Sequence, residues 1–337
     1  MFIVAAHCWS VLIFMSNDFS LPDDLRHLFH IIETLFHGST IYFAMISGLL
    51  YSLVLRDKSY KVFLKGKARN VLAPYVLSAF YYLFLWHFVG QLNLPEDMGV
   101  KEFIFGFSFV ILTGQMAPHM WYIPIIMILF LLTPLLYRVS EMKKPYLIII
   151  ILLLPLVISR VWPMFSPANI VYFAAPYLAG IMIGKNLESA FAWISERSNA
   201  LLVISILFSV LYFTLFTYDI KDVSWGFLTV NAQETVTYII RISLALVIFR
   251  YLYIHVKRVP KVINLLANHS FAIYFLHMIV IQLMIYMYRA YEINLDSAMN
   301  TFLAGLLIFV SSIVISTGLS WIIQKLVGKK SRLIIGA

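Results

Sequence analysis

Long apolar runs alternate with short polar breaks along the whole chain. Cut at charged or Pro/Gly-rich breaks, the runs cover 2–15, 30–55, 71–90, 121–137, 146–160, 169–184, 199–218, 235–254, 271–290 and 300–324. A helix needs about 20 residues to cross about 30 Å of hydrocarbon. Most runs reach that length, although 2–15, 146–160 and 169–184 are short. The pattern predicts an all-α, polytopic integral membrane bundle, with about ten transmembrane helices in a single domain over residues 1–337. The weaker run 103–113 is too short to cross. Residues 1–15 lack a basic leader and a small-residue cleavage site, so they read as a retained span and not a signal peptide.

Composition supports this picture. Apolar residues make up 62% of the chain and charged residues 12%, against about 45–50% and about 25% in soluble domains. The single cysteine, Cys8, rules out an internal disulfide and thiolate metal clusters. The formal charge of +9 is not evenly spread. Loops 56–70, 138–145, 185–198 and 255–270 and the tail carry 18 Lys and Arg. The alternate loops hold only Arg26, Lys101, Arg160 and Lys221, beside eleven acids. Positive residues stay on the cytoplasmic side. Both termini are therefore expected in the cytoplasm, with 103–113 a re-entrant or interfacial helix on the outer side. The charge reads as topology and as contact with membrane lipids, not as a nucleic-acid surface. A GxxxxGK[ST] phosphate loop is absent, which argues against an ATP-driven pump.

Ionisable side chains inside a span are costly and mark function by default. His7 lies in the first span, where a neutral imidazole can act as a general base or simply hydrogen-bond to a neighbouring helix. His30, Glu33 and His37 recur at i, i+3 and i+7 on one face of the second span. They suit a polar pocket, a structural hydrogen-bond set or, with further partners, a metal site; no metal is expected. Ser47 and Gly48 form a small notch that suits either close helix packing or a polar contact. The stretch FLKGKARNVLAPY (63–75) places Lys65, Lys67 and Arg69 where a polyanion would meet the cytoplasmic face. That anion is a lipid head group or a phosphorylated cofactor such as coenzyme A. His119, Trp121 and Tyr122 open the fourth span as an interfacial belt or a sugar-stacking rim at the outer side. His277 stands about two turns into the ninth span.

Five of these segments, in chain order, resemble the membrane acyltransferase 3 family, the O-acyltransferases of bacterial surface polysaccharides. They are the first-span His7; Phe43, Ser47 and Gly48 as FxxxSG; and Lys67, Arg69, Pro74 and Tyr75 in the basic loop. The others are Trp121 with Tyr122, and Ser270, Ile273, Tyr274 and His277 as SxxIYxxH. LKGKARNVLAPY and SFAIYFLH are also similar to the intercellular-adhesin and fucose-acetylase-like branch. The resemblance implies an enzyme of the bacterial cytoplasmic membrane. It implies acyl-CoA as co-substrate with no resident cofactor, and a polysaccharide or lipid-linked glycan as acceptor. It implies His7 as the essential catalytic residue and the basic loop as part of the coenzyme A grip. Two departures stand out. The family places an arginine further upstream of that histidine than this chain extends, so a truncated start or another cation is expected. The family's RxxR-like pair falls on Lys67 and Asn70, with Arg69 adjacent, and Lys lacks the bidentate fork of Arg.

The combined expectation is His7 as general base, oriented by Glu33 or His37, with acetyl or succinyl as the transferred group. Lys65, Lys67 and Arg69 would hold the donor; Ser47, His119, Trp121, Tyr122 and His277 would line the acceptor site. Arg241 is expected to pair with Glu33 inside the bundle. The alternatives are a glycan or metabolite transporter, or a non-catalytic partner of a polysaccharide synthase or export complex.

Overall fold

A computed structural model of the chain describes residues 1–16, 22–88, 99–225, 228–293, 295 and 297–337. The helices are α1 (Phe2–Ser16), α2 (Asp23–Phe36), α3 (Thr40–Leu50), α4 (Tyr60–Lys67), α5 (Ala73–Phe88), α6 (Val100–Thr113), α7 (Tyr122–Val139) and α8 (Pro145–Leu153). They continue as α9 (Pro167–Lys185), α10 (Leu187–Thr217), α11 (Ala232–His255), α12 (Lys261–Asn268), α13 (Ser270–Ala290), α14 (Ala298–Val327) and α15 (Ser331–Ile334). Among the described residues, seven helical segments are long and apolar enough to cross a membrane: 23–55, 122–139, 167–185, 187–217, 232–255, 270–290 and 298–334. Each coincides with an expected span. The other three expected spans are shorter helices: α1, the 16-residue α5, and the Pro145–Leu156 segment that stops near Pro155. The chain is a multi-pass, helical membrane protein.

Four local features depart from the expectation. The second span is not one helix. It breaks at His37–Ser39, where Gly38 adopts φ +71°, and a Cβ there would lie 2.4 Å from Thr237 Cγ2. Arg241 closes the break by donating to the carbonyls of His37 (2.6 Å) and Thr34 (2.8 Å). A buried cation thus satisfies the orphan carbonyls at a helix C-terminus, where the dipole favours positive charge. Second, the basic loop 56–70 is mostly helical. It runs through α4 and a π-helical turn, Ala68–Leu72, into α5. Pro74 has no N–H to give the Asn70 carbonyl, so the helix widens there. Third, most of loop 185–198 is the first part of the 31-residue α10. Fourth, the fold is not purely α: Asp222–Trp225 (β1) and Leu228–Asn231 (β2) pair as an antiparallel hairpin.

Small residues set the tightest crossing. A Cβ at Gly48 would lie 2.0 Å from the Tyr177 carbonyl oxygen, and one at Gly180 would lie 2.0 Å from that of Met45. Gly184, four residues on, meets Ser52 and Leu49. Ser52 Oγ donates to the Ile181 carbonyl at 3.0 Å. Lipid tails supply no hydrophobic drive between helices, so close backbone approach through small residues carries α3 against α9. The packing role expected for Gly48 is the one it has here.

Gly48→Ala should therefore lower the thermal unfolding midpoint in detergent, at a cost of about 1–3 kcal/mol. Gly66→Ala is the contrast, because nothing lies within 4 Å of its would-be Cβ. Relief of the glycine penalty, about 0.5–1 kcal/mol, should leave that variant as stable as wild type or slightly more so.

Candidate active site

Three histidines from distant parts of the chain meet inside the bundle. His7 comes from α1, His119 from the turn between α6 and α7, and His277 from α13. Their ring centroids are 4.8 Å apart for His119–His277, 5.6 Å for His7–His277 and 6.3 Å for His7–His119. Two contacts to α14 bracket their depth. Trp9 Nε1 donates to the Phe302 carbonyl at 3.2 Å, and His269 Nδ1 lies 2.7 Å from Ser320 Oγ. At 1.5 Å per residue those anchors are about 27 Å apart along α14. His7 and His277 lie between them, well inside the bundle.

The turn carrying His119 is held from three directions. Gly114 ends α6 with φ +75°, and a Cβ there would lie 2.4 Å from Trp121 Cα. Trp86 Nε1 donates to the Met116 carbonyl at 3.0 Å, and the Tyr274 hydroxyl donates to the His119 carbonyl. Irregular backbone at membrane depth is tolerated only where protein buries it, and His119 is 2% exposed.

His277 has a determined tautomer. Its Nδ1 lies 2.8 Å from the Tyr274 carbonyl and 3.1 Å from that of Ile273. Carbonyls only accept, so Nδ1 carries the proton and Nε2 presents a lone pair. That Nε2 is buried without a hydrogen-bond partner, as are both ring nitrogens of His119 and the Tyr122 hydroxyl. Leaving a buried polar atom unpaired costs about 1–3 kcal/mol. The three imidazole nitrogens belong to rings 4.8 Å apart, and such a concentration of unpaired polar atoms suits a polar ligand. His7 is only partly buried, while its neighbours Ala5, Cys8 and Trp9 are buried.

A second polar assembly adjoins the first. Glu33 accepts from Ser10 Oγ at 2.9 Å and lies 2.8 Å from His37 Nδ1. His37 Nε2 is 3.2 Å from Glu234 Oε1 and 2.5 Å from an Arg160 guanidinium nitrogen. Arg160 also grips Glu234 with two bonds, 2.6 and 2.7 Å. Ser10 and His7 share a face of α1, so the chain Arg160–Glu234–His37–Glu33–Ser10 ends beside His7. Glu33 also acts electrostatically on His7.

The structure revises several expectations. His119 and Tyr122 do not form an outer rim, since both are buried. Trp121 packs on Phe173 at 5.8 Å between centroids. The Glu33–Arg241 pair does not form; Arg241 caps the α2 break, and the Glu33 partners are His37 and Ser10. The His30–Glu33–His37 stripe splits, with His30 turning to Thr217 at 3.1 Å and to the Phe216 ring. Ser47 is half-buried beside the Gly48 crossing. In the basic segment, Lys65 and Arg69 line a cavity of about 540 Å³ with Lys329 and Arg332. Lys67 turns the other way, its ammonium 4.3 Å from the Phe130 ring centroid. Sequence reasoning missed Arg160 and Glu234. Arg160, one of four cations in otherwise acidic loops, was the available clue.

A family model described as an acyltransferase domain matches residues 1–324. No curated protein and no solved structure matches the chain.

Arg160 is 7% and Glu234 16% exposed at their side chains, so breaking this pair strands a buried charge. Arg160→Met should cost about 3–5 kcal/mol, and adding Glu234→Leu should recover part of it; thermal unfolding of the single and double variants measures both. Burial lowers the Lys67 pKa to about 8. The folded value lies below the unfolded one, so the ammonium costs stability in full below pH 8, and the cost fades as pH rises further. Unfolding followed between pH 7 and 10 should show stability rising with pH, and Lys67→Met should flatten that rise.

Proposed function

The chain belongs to the membrane acyltransferase 3 family and is a membrane acyltransferase, and from that premise we propose that it moves an acyl group from coenzyme A to a glycan. The donor is a cytoplasmic acyl-CoA such as acetyl- or succinyl-CoA. The acceptor is a sugar hydroxyl of a lipid-linked or exported polysaccharide, and the setting is a bacterial cytoplasmic membrane. The observation that carries this reading is the group of unpartnered imidazole nitrogens inside the bundle, beside a partly buried His7.

In this mechanism His7 is the general base. It removes the proton from the sugar hydroxyl as that oxygen attacks the thioester carbonyl carbon. The tetrahedral intermediate collapses with cleavage of the carbon–sulfur bond. The imidazolium returns its proton to the departing thiolate, so the products are a sugar ester and free coenzyme A. Base catalysis of this kind contributes about 10²–10⁴-fold. His277 Nε2 can only accept, so it receives a hydrogen bond from an acceptor hydroxyl and orients it. The neutral His119 ring has one N–H to give, which suits the developing oxyanion. Glu33, held by Ser10 and His37, favours the transient imidazolium on His7. A site inside the bundle also suits the topology, because donor and acceptor then approach from opposite sides of the membrane.

The test uses membranes containing the protein, radiolabelled acetyl-CoA and alkali-labile label on the glycan fraction. His7→Ala should lower the rate by about 10²–10⁴-fold while membrane insertion and thermal stability persist. His277→Phe should raise the acceptor KM more than it lowers kcat. Undiminished ester formation in His7→Ala would remove the proposed base. An active uptake of glycan without ester formation would favour a transporter instead.

A further inference from the structure

The C-terminal tail is packed against the start of α13 and against α5. Ile335 and Ala337 are buried with Ala272 and Leu276 of α13, against Tyr81 of α5. Ser331 Oγ donates to the Ala337 carbonyl oxygen at 2.5 Å. Gly336 adopts φ +76°, and a Cβ there would lie 2.8 Å from Phe271 Cβ. This docking fixes the two cations that precede it. Lys329 and Arg332 line the 540 Å³ cavity with Lys65 and Arg69. They also line a neighbouring cavity of about 830 Å³, whose walls include Asn70, Asn268, His269 and Phe271. Asn70, Lys329 and Arg332 form the partition common to both. No aspartate or glutamate side chain lines either cavity among the described residues. Both volumes fall in the range of small-molecule sites.

We propose that Lys329 and Arg332 of the docked tail, with Lys65 and Arg69, form the binding site for the phosphorylated nucleotide end of the acyl donor. This rests on the acyl-CoA reading above and goes beyond it, because the tail lies outside the residues 1–324 that match the family. Four cations converge on one cavity, and Arg supplies the planar fork that phosphate prefers. The neighbouring cavity offers amide groups and the Phe271 ring to a base and sugar. His269 and Phe271 stand at the foot of α13, and His277 lies two turns above, about 10 Å along the helix. A donor anchored by its nucleotide at the tail therefore points its acyl end up α13 toward the histidines. The arrangement also answers the departure at Lys67, which is turned onto Phe130. The tail cations stand in for it.

The test is direct binding to the full-length protein in phosphatidylcholine nanodiscs, using coenzyme A, dephospho-coenzyme A and pantetheine as probes. Wild type should bind coenzyme A most tightly and pantetheine most weakly. K329Q/R332Q should weaken coenzyme A by about tenfold or more, as expected for lost charge-assisted contacts, and leave pantetheine unchanged. K329E, with the thermal midpoint checked, should weaken coenzyme A further. If K65Q/R69Q weakens coenzyme A while the tail variants do not, the tail site is wrong and the donor reading stands. If neither pair matters, the donor reading itself fails. If the tail variants change only binding to vesicles rich in phosphatidylglycerol, the cations hold lipid phosphate and the proposal is overturned.

Discussion

A polar group buried inside a membrane bundle is costly unless it finds a hydrogen-bond partner. That constraint organises the structure. Many buried polar groups find one: Arg241 satisfies the carbonyls freed at Gly38, and Arg160 answers Glu234. Others do not, among them hydroxyls of Tyr42, Tyr172, Ser312 and Ser316. The imidazole nitrogens of His119, Nε2 of His277 and the Tyr122 hydroxyl are also buried and unanswered. A ligand carrying several hydroxyls can answer the imidazole nitrogens among them.

The two polar assemblies differ in how far their hydrogen bonds are satisfied. The Arg160–Glu234–His37–Glu33–Ser10 chain is satisfied at every link, so it is rigid, and it ends on the same face of α1 as His7. A fully connected buried network costs little and specifies geometry well. The histidine cluster has the opposite character, with unpartnered ring nitrogens beside a partly buried His7. In the proposed reaction, that rigid support would spare His7 reorganisation.

Much of the fold was legible in the sequence. The seven long helices fall on expected runs, because a membrane imposes length and hydropathy on each span separately. The break inside the second span was not legible, since it depends on Arg241, 204 positions away from His37. His7 and His277 were both singled out from the sequence as imidazoles inside spans. Their meeting with His119 was hidden. Position 119 sits at the edge of an apolar run, which reads as surface, and only the anchors from Trp86 and Tyr274 draw that turn inward. Lys67 was grouped with Lys65 and Arg69 because charge count carries no direction. A residue's side of a helix relative to Phe130 is a property of packing. The tail likewise read as an orientation signal, and only its docking against α13 brings Lys329 and Arg332 to the basic segment.

The most direct measurement is photo-crosslinking with an acyl-CoA whose acyl chain carries a diazirine, followed by mapping of the labelled peptides. If the acyl end is delivered to the mid-bundle histidines, label should fall on α1, on the 114–122 turn and on α13, and excess coenzyme A should suppress it. Label confined to the lipid-facing surfaces of α10 or α14, or insensitive to coenzyme A, would contradict the account.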